Sequence, residues 1–377
     1  MVPMSNDAGG PGRVDPPPPY APQGYPPPGY RQGYPPPGYQ PGYPSRPGYP
    51  TPGVLQPGVI PLRPLGLADI FNGAVNYIRR NPKATLGLTA IVVVATQLIS
   101  LVLQVLGPLI ATGDLDPTLS EEATTAGDVA VLSGSSLAGS ITTALASVVL
   151  SGVLTVIVGR AVFGADITIG AAWQRVKGRL LALLGFTALE AVAVVLLIVV
   201  VVVTIIAAEA IGGGVAAFLV GAPLVIAVFP LIVYLATSLL FTPALIVLER
   251  LGIVEAAGRS FTLVRKDFWR VLGIWLLAAL AATVIAGAVG VPFSFGGQLL
   301  AGSGSDGGVL VGLILIAVGT AVGQILTAPF SAGVIVLLYT DRRIRAEAFD
   351  LVLHTGAAAG PGVHADSTDQ LWLIRRP

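Results

Sequence analysis

Six long apolar runs, joined by connections whose charge alternates, limit what this chain can fold into more than any other feature. A helix needs about 20 apolar residues to cross roughly 30 Å of hydrocarbon, and each run reaches that length. With 54% hydrophobic residues, 11% charged residues and a mean hydropathy of +0.80, the chain lacks the composition of a soluble domain. We therefore predict a polytopic membrane protein. The runs comprise residues 84–109, 136–158, 180–208, 215–248, 271–291 and 309–338.

The Lys and Arg residues predict how these runs are oriented. All 21 of them can be placed on one side of the membrane if every run crosses it once. The connections at 159–179 and 249–270 carry basic clusters, whereas those at 110–134, 209–214 and 292–308 carry acidic residues and no basic ones. Cytoplasmic loops are enriched in Lys and Arg. The prediction is a multi-pass protein of the plasma membrane with both termini in the cytoplasm.

An internal repeat precedes the first, third and fifth runs. Each copy is an amphipathic stretch with a basic cluster, followed by a Leu-Gly pair where the run begins. In the third copy the apolar side chains fall mainly on one helical stripe, a pattern typical of a helix in the headgroup plane. The predicted fold class is all-α, with six transmembrane helices arranged as three interfacial-helix-plus-hairpin repeats. Aligning Leu86-Gly87, Leu184-Gly185 and Leu272-Gly273 brings into register Arg79, Lys177 and Arg265.

Composition divides the chain into three parts. Residues 1–60 form a Pro/Gly/Tyr-rich arm in which Gly-Tyr-Pro-Pro-Pro-Gly-Tyr occurs at 24–30 and again at 33–39. Such a segment buries too little apolar area to offset its chain entropy, so we expect a disordered cytoplasmic tail. It could be a solvated spacer or a tail that binds protein partners. Residues 61–353 form the transmembrane domain, and 354–377 a short flexible tail with a small docking patch at 371–374. After the last run, 339–353 predicts a further amphipathic helix on the cytoplasmic face, in which Arg343 can pair with Glu347 one turn later.

The cations of the interfacial stretches are candidate contacts for anionic lipid headgroups. Each would contribute about 1 kcal/mol near an anionic surface. The alternative is that these charges serve only to keep the loops in the cytoplasm. The candidates are Arg79, Arg80, Lys177, Arg179, Arg265, Lys266 and Arg270.

A few polar side chains stand inside the apolar runs and form a candidate intramembrane site. Glu190 lies near the bilayer midplane if its run begins at residue 180, and at the inner interface if the span begins after it. Gln97, Gln104 and Gln324 either form hydrogen bonds between helices or contact a substrate. Prolines inside the fourth run predict kinks, which occur both in structural helices and at transporter sites.

The chain carries no recognisable enzyme signature. It has no Cys, and both of its His residues, His354 and His364, lie in the C-terminal tail. It has no phosphate-binding loop and no His-Glu-x-x-His motif. We expect no catalytic residue, no metal, no cofactor and no nucleic-acid partner.

Four ordered segments resemble the landmarks of a group of actinobacterial membrane proteins, described as having a glycerophosphoryl diester phosphodiesterase membrane domain. The segments are 58–74, 243–250, 259–270 and 339–351. That description comes from fusion proteins in which such a membrane region precedes a soluble phosphodiesterase barrel. The chain carries no counterpart of the barrel, so the resemblance implies a membrane domain and transfers no catalytic residue.

The function predicted from these observations is that of a non-enzymatic integral protein of the plasma membrane. It would act as an envelope-associated scaffold or accessory subunit, binding anionic lipid with its basic helices and protein partners with its N-terminal arm. The alternative is a transporter of a small molecule or lipid, with a site near Glu190 and the kinked fourth helix.

Overall fold

The computed structural model describes residues 58–61, 63–111, 126–165, 167–302, 305–349, 351 and 371–373. Within these residues all regular secondary structure is helical. The predicted arm and most of the predicted tail lie outside them. The helices are α1 (Leu67–Arg80), α2 (Leu88–Ala111), α3 (Ala126–Val162), α4 (Ile169–Val176), α5 (Leu180–Leu239), α6 (Thr242–Ala244), α7 (Ile253–Arg265), α8 (Phe268–Ala301) and α9 (Asp306–Glu347).

Several of these helices have the length and composition of membrane spans. In the described part of the chain, five helical stretches are long and apolar enough to cross a bilayer. The predicted all-α membrane class is thus confirmed, and the fold is that of a multi-pass membrane protein. The stretches are Lys83–Gly107, Ser133–Val162, Ile169–Glu249, Phe268–Ala301 and Gly307–Glu347.

The long helix α5 consists of two helical arms joined at Gly213. The backbone there leaves the helical region, with φ 68° and ψ −169°, a combination that only glycine adopts readily. Ile205 Cγ1 lies 3.0 Å from where a Cβ of Gly221 would stand. In a continuous helix these residues would be roughly 24 Å apart. The chain therefore reverses at Gly213, and the third and fourth apolar runs pack against each other as a hairpin.

The amphipathic helix α1 packs its apolar face against the second half of α9. Phe71 and Phe330 meet edge to face with ring centroids 5.5 Å apart. The Tyr77 hydroxyl donates a hydrogen bond to the Pro329 carbonyl, and Gly333 leaves the space in which the Tyr77 ring lies. Burial raises the pKa of the Tyr77 phenol well above its usual value, so the hydroxyl remains a donor.

The other two amphipathic helices lie at the same end of the bundle as α1. The Asn81 amide, just after α1, donates to the Ile167 carbonyl just before α4, at 3.1 Å. Helix α7 is joined to the end of α5 by the Ser260 hydroxyl, which donates to the Ser238 carbonyl at 2.7 Å. Arg342 of α9 donates to the Leu263 carbonyl of α7 at 3.2 Å. Because the basic clusters lie in or beside these helices, we call this end of the bundle the basic end.

The end of α9 differs from the prediction. The sequence predicts a separate amphipathic helix over 339–353, but α9 continues unbroken to Glu347. Residues 339–344 of this segment are buried, and 345–347 are exposed. The reason is that carboxylates from neighbouring elements neutralise the charges of this segment, which allows the helix to enter the core. The expected pair of Arg343 and Glu347 is present, with Nε and Oε2 3.1 Å apart.

Trp372, which belongs to the predicted docking patch of the C-terminal tail, packs into the core of this chain. Trp372 is only 3% exposed. Its ring stacks on Tyr339, with centroids 6.0 Å apart, and lies 5.2 Å from the ring of Phe349. Its carbonyl accepts a hydrogen bond from Arg343 at 3.2 Å. The tail thus returns to the basic end and closes the core there.

Candidate functional site: an ion-pair network, a basic surface and a polar cavity

A buried carboxylate, Glu249, is the centre of an ion-pair network at the basic end. Its side chain is fully buried. Arg259 Nη2 donates to Oε1 at 3.2 Å, and Arg259 Nε lies 2.6 Å from Oε2 in a charge contact that lacks hydrogen-bond alignment. The Tyr339 hydroxyl donates to Oε1 at 2.5 Å, and Arg343 lies 3.5 Å from the same atom. Glu347 completes the group, 2.7 Å from Arg259.

Local backbone geometry positions Glu249. It is the last residue of a π-helical turn, Leu245–Glu249, which follows α6. Arg250 then adopts the left-handed conformation, with φ 58°, and ends the turn.

Burial alone would lower the pKa of the Arg259 guanidinium, but the carboxylates of Glu249 and Glu347 outweigh it and raise that pKa. Arg259 therefore stays charged, as the ion pairs require.

A second buried carboxylate, Asp341, binds the segment that leads into α1. Its side chain is also fully buried, and the Leu65 amide donates to it at 2.8 Å. Arg345 lies 2.9 Å and Arg270 3.3 Å from its oxygens. Both arginines also donate to the Leu65 carbonyl, at 3.1 and 2.7 Å. A third pair, Arg342 with Asp267, joins α9 to the start of α8.

The network joins all four segments on which the family resemblance rests. Leu65 comes from the first, Glu249 from the second, Arg259 and Arg270 from the third, and Asp341 from the fourth. Sequence reasoning did not identify these carboxylates as a site, although each stands beside a basic cluster. Since every carboxylate is neutralised by arginine, the arrangement is suited to holding helices together. Within the described residues, no group of three or more His, Cys, Asp or Glu side chains could hold a metal ion.

The predicted headgroup contacts lie at the same end of the bundle as this network. Five of the seven are exposed, Arg179 is half-buried, and Arg270 belongs to the network. Arg80 also lines a shallow groove of about 470 Å³ together with Lys83 and Thr168. The structure therefore places cations of all three amphipathic copies at one end. The exposed five are Arg79, Arg80, Lys177, Arg265 and Lys266.

Three of the four predicted intramembrane residues meet in one cavity. Gln97, Gln104 and Gln324 line a space of about 740 Å³ between α2, α3 and α9, which we call the polar cavity. Glu190 is not among its described lining residues and lies half-buried on α5. Most of the remaining lining is Ser and Thr, which sequence reasoning did not select because such residues are common in apolar helices. Ser100 stands out, since its hydroxyl is buried without a hydrogen-bond partner.

Comparison with known proteins places the chain in a family. The family profile described as "Domain of unknown function (DUF7847)" matches residues 64–342, which include α1, the polar cavity and most of the ion-pair network. No curated protein and no solved structure matches the chain. Because the profile covers well over half of the sequence, the chain belongs to the DUF7847 family.

Proposed function

We propose that the chain crosses the plasma membrane six times, as three repeats of an interfacial helix and a hairpin, with both termini in the cytoplasm. The reversal at Gly213 supports this topology, because it provides two antiparallel arms within α5. The position of α1, α4 and α7 at one end supports the repeat. The cations at that end support a cytoplasmic location for it.

Within that topology, we propose that the protein is a non-enzymatic scaffold or accessory subunit of the cell envelope. The observation that carries the proposal is the basic end itself. Exposed cations stand on or beside α1, α4 and α7, and buried ion pairs hold α7 and the segment that leads into α1. A rigid array of cations at the membrane surface suits anionic headgroups, at about 1 kcal/mol per charge. The N-terminal arm, residues 1–60, would recruit protein partners.

Lipid selectivity at α7 tests the headgroup proposal. Trp269 is 81% exposed and lies close in sequence to Arg265 and Lys266. We expect brominated phosphatidylglycerol to quench tryptophan fluorescence more than brominated phosphatidylcholine at equal mole fraction. Because each charge is worth about fivefold in local lipid preference, the variant with both cations changed to Gln should lose most of this selectivity.

A charge-keeping exchange is the matched control for that experiment. Lys266→Arg should retain the preference for phosphatidylglycerol, and added salt should weaken it in the unaltered protein. Equal quenching by the two lipids in the unaltered protein would refute headgroup binding at this site. Deletion of residues 1–56 tests the arm: a scaffold should lose co-purifying partners while it remains in the membrane.

A transporter is the second candidate, and the polar cavity is the observation that favours it. The cavity brings Gln97, Gln104 and Gln324 together but not Glu190. Uptake or efflux that requires Glu190 should be abolished by Glu190→Gln, whereas transport through the polar cavity should instead depend on the three amides. A scaffold should keep its function with Glu190→Gln and also when the three amides are replaced.

A further inference from the structure

The polar cavity lies in the half of the bundle remote from the basic end. On α9 its lining runs from Leu313 to Gln324, and Asp341 of the ion-pair network is roughly 25 Å further along the helix axis. On α3 the lining stops at Ser147, well before Arg160 at the basic end. On α9, the helix that they share, the cavity and the network therefore occupy opposite halves.

Ten of the sixteen described lining residues are Gln, Ser or Thr, the other six are apolar, and none of the sixteen carries a charge. Amides on α2 and α9 offer both donors and acceptors. Several hydroxyls already donate to their own helix, as Ser140 does to the Ser136 carbonyl at 2.9 Å and Thr320 to the Ile316 carbonyl at 2.8 Å. These hydroxyls remain free to accept. With no cation or carboxylate in this described wall, the cavity provides nothing to neutralise an anion or a cation.

Ser100 provides an independent sign that a ligand belongs here. Thr89 and Thr96 on the same helix donate to carbonyls one turn back, at 2.7 and 2.8 Å. Ser100 is 7% exposed and lines the cavity, yet its hydroxyl has no partner. Buried polar groups without partners are rare and are commonly satisfied by a ligand or an ordered water.

We propose that the polar cavity binds an uncharged, hydroxyl-rich group, of the sugar or polyol class. Hydroxyls both donate and accept, which matches a wall of amides and hydroxyls, and they need no counter-ion. The volume of about 740 Å³ lies within the range of small-molecule sites. The ligand is either a free sugar or polyol or the neutral head of a membrane lipid. This site is independent of the basic end and of its anionic lipids.

Thiol protection tests the proposal, because the chain has no Cys of its own. Ala317 lines the cavity, whereas Gly307 lies at the start of α9 outside the described lining. The full chain carrying Ala317→Cys, in phosphatidylcholine nanodiscs, is labelled with a small maleimide. The probes are octyl glucoside, octyl maltoside and monocaprylin, each below its micelle concentration, and free glucose, maltose and glycerol. Gly307→Cys is the labelling control.

We expect at least one hydroxylated probe to slow labelling of Ala317→Cys, by about tenfold at a concentration ten times its dissociation constant, and to leave Gly307→Cys unchanged. Protection by a free sugar or polyol indicates a soluble ligand, and protection by amphiphiles alone indicates a lipid head. Tetraethylene glycol monooctyl ether, which has the same tail but one hydroxyl, should not protect. Failure of all six probes, equal protection by this ether, or an unreactive thiol without ligand would overturn the proposal.

Two further variants separate recognition from simple filling of space. Gln324→Leu and Ser100→Ala, each combined with Ala317→Cys, should weaken protection at least tenfold in probe concentration. Both should keep the elution volume of the parent protein. Ser100→Ala removes an unpartnered hydroxyl, so a purely structural role predicts equal or better thermal stability with protection unchanged. Unchanged protection in Ser100→Ala would overturn the assignment of Ser100 as a ligand contact. Unchanged protection in both variants would overturn the site.

Discussion

Replacing Glu249 by Gln is the sharpest test of the ion-pair network. The exchange keeps the shape of the side chain and an oxygen that can accept from the Tyr339 hydroxyl, but it removes the charge. Arg343, whose side chain is only 6% exposed, then loses one of its two carboxylate partners, and Arg259 loses the carboxylate 2.6 Å from its Nε. Both arginines would still contact Glu347.

The expected cost follows from burial. Removing one member of a buried ion pair usually destabilises a protein by about 3–5 kcal/mol, because the remaining charge stays buried. Since Glu347 still neutralises part of the charge, we expect about 3 kcal/mol for Glu249→Gln. Glu347→Gln is the matched control. That carboxylate is 30% exposed, so solvent screens its contribution, and its removal should cost about 1 kcal/mol or less.

The measurement is the free energy of unfolding of the detergent-solubilised protein, titrated with sodium dodecyl sulfate and followed by tryptophan fluorescence. A double-mutant cycle with Arg343→Met adds the pairwise term, which should reach about 1–3 kcal/mol for residues in one network. If Glu249→Gln costs no more than Glu347→Gln, or if the coupling with Arg343 vanishes, the network does not stabilise the basic end.

Three further substitutions test the packing. Gly333→Ala places a methyl group 2.6 Å from the Tyr77 ring and should lower the free energy of unfolding by about 1–3 kcal/mol in the same titration. Gly287→Ala is the control: its methyl group meets nothing within 4 Å, so the free energy of unfolding should be unchanged or slightly raised. Gly213→Ala forces a side chain into a backbone region reserved for glycine, so a loss of about 1–3 kcal/mol is expected; an unchanged stability would argue against the reversal. Trp372→Ala removes a buried ring and should cost about 3–5 kcal/mol and expose the tail to protease, while wild-type protease resistance would show that the tail does not dock.

The sequence predicted those features of the fold that depend on neighbouring residues. An apolar run of 20 residues and a cluster of cations beside it are features of contiguous sequence, so the sequence alone predicts both the membrane spans and their orientation. The amphipathic stripe of α7 likewise lies within a single helix. The same reasoning failed at the end of α9, because an amphipathic segment has the same pattern whether its charges meet water or the buried carboxylates of other elements.

The candidate sites were harder to predict for two different reasons. Glu249 and Arg343 are 94 positions apart, and no local pattern announces that they meet. Glu190 was predicted as part of an intramembrane site because a carboxylate inside an apolar run is unusual. The Ser and Thr residues of α3 were overlooked, since their hydroxyls can bond within their own helix and so occur in many spans. Only the packing of α3 against α2 and α9 shows that they share a cavity with three amides.

The place of α9 in the network has a consequence for biosynthesis. Glu249 and Arg259 emerge from the ribosome before the arginines and carboxylates of the last helix exist. Asp341 supplies the acceptor for the amide of Leu65, which is made 276 residues earlier. The nascent chain must therefore keep its early amphipathic segments at the hydrated surface of the bilayer until α9 has been synthesised. A chain that ends before Asp341 therefore lacks the acceptor for the Leu65 amide and the carboxylate that pairs with Arg270.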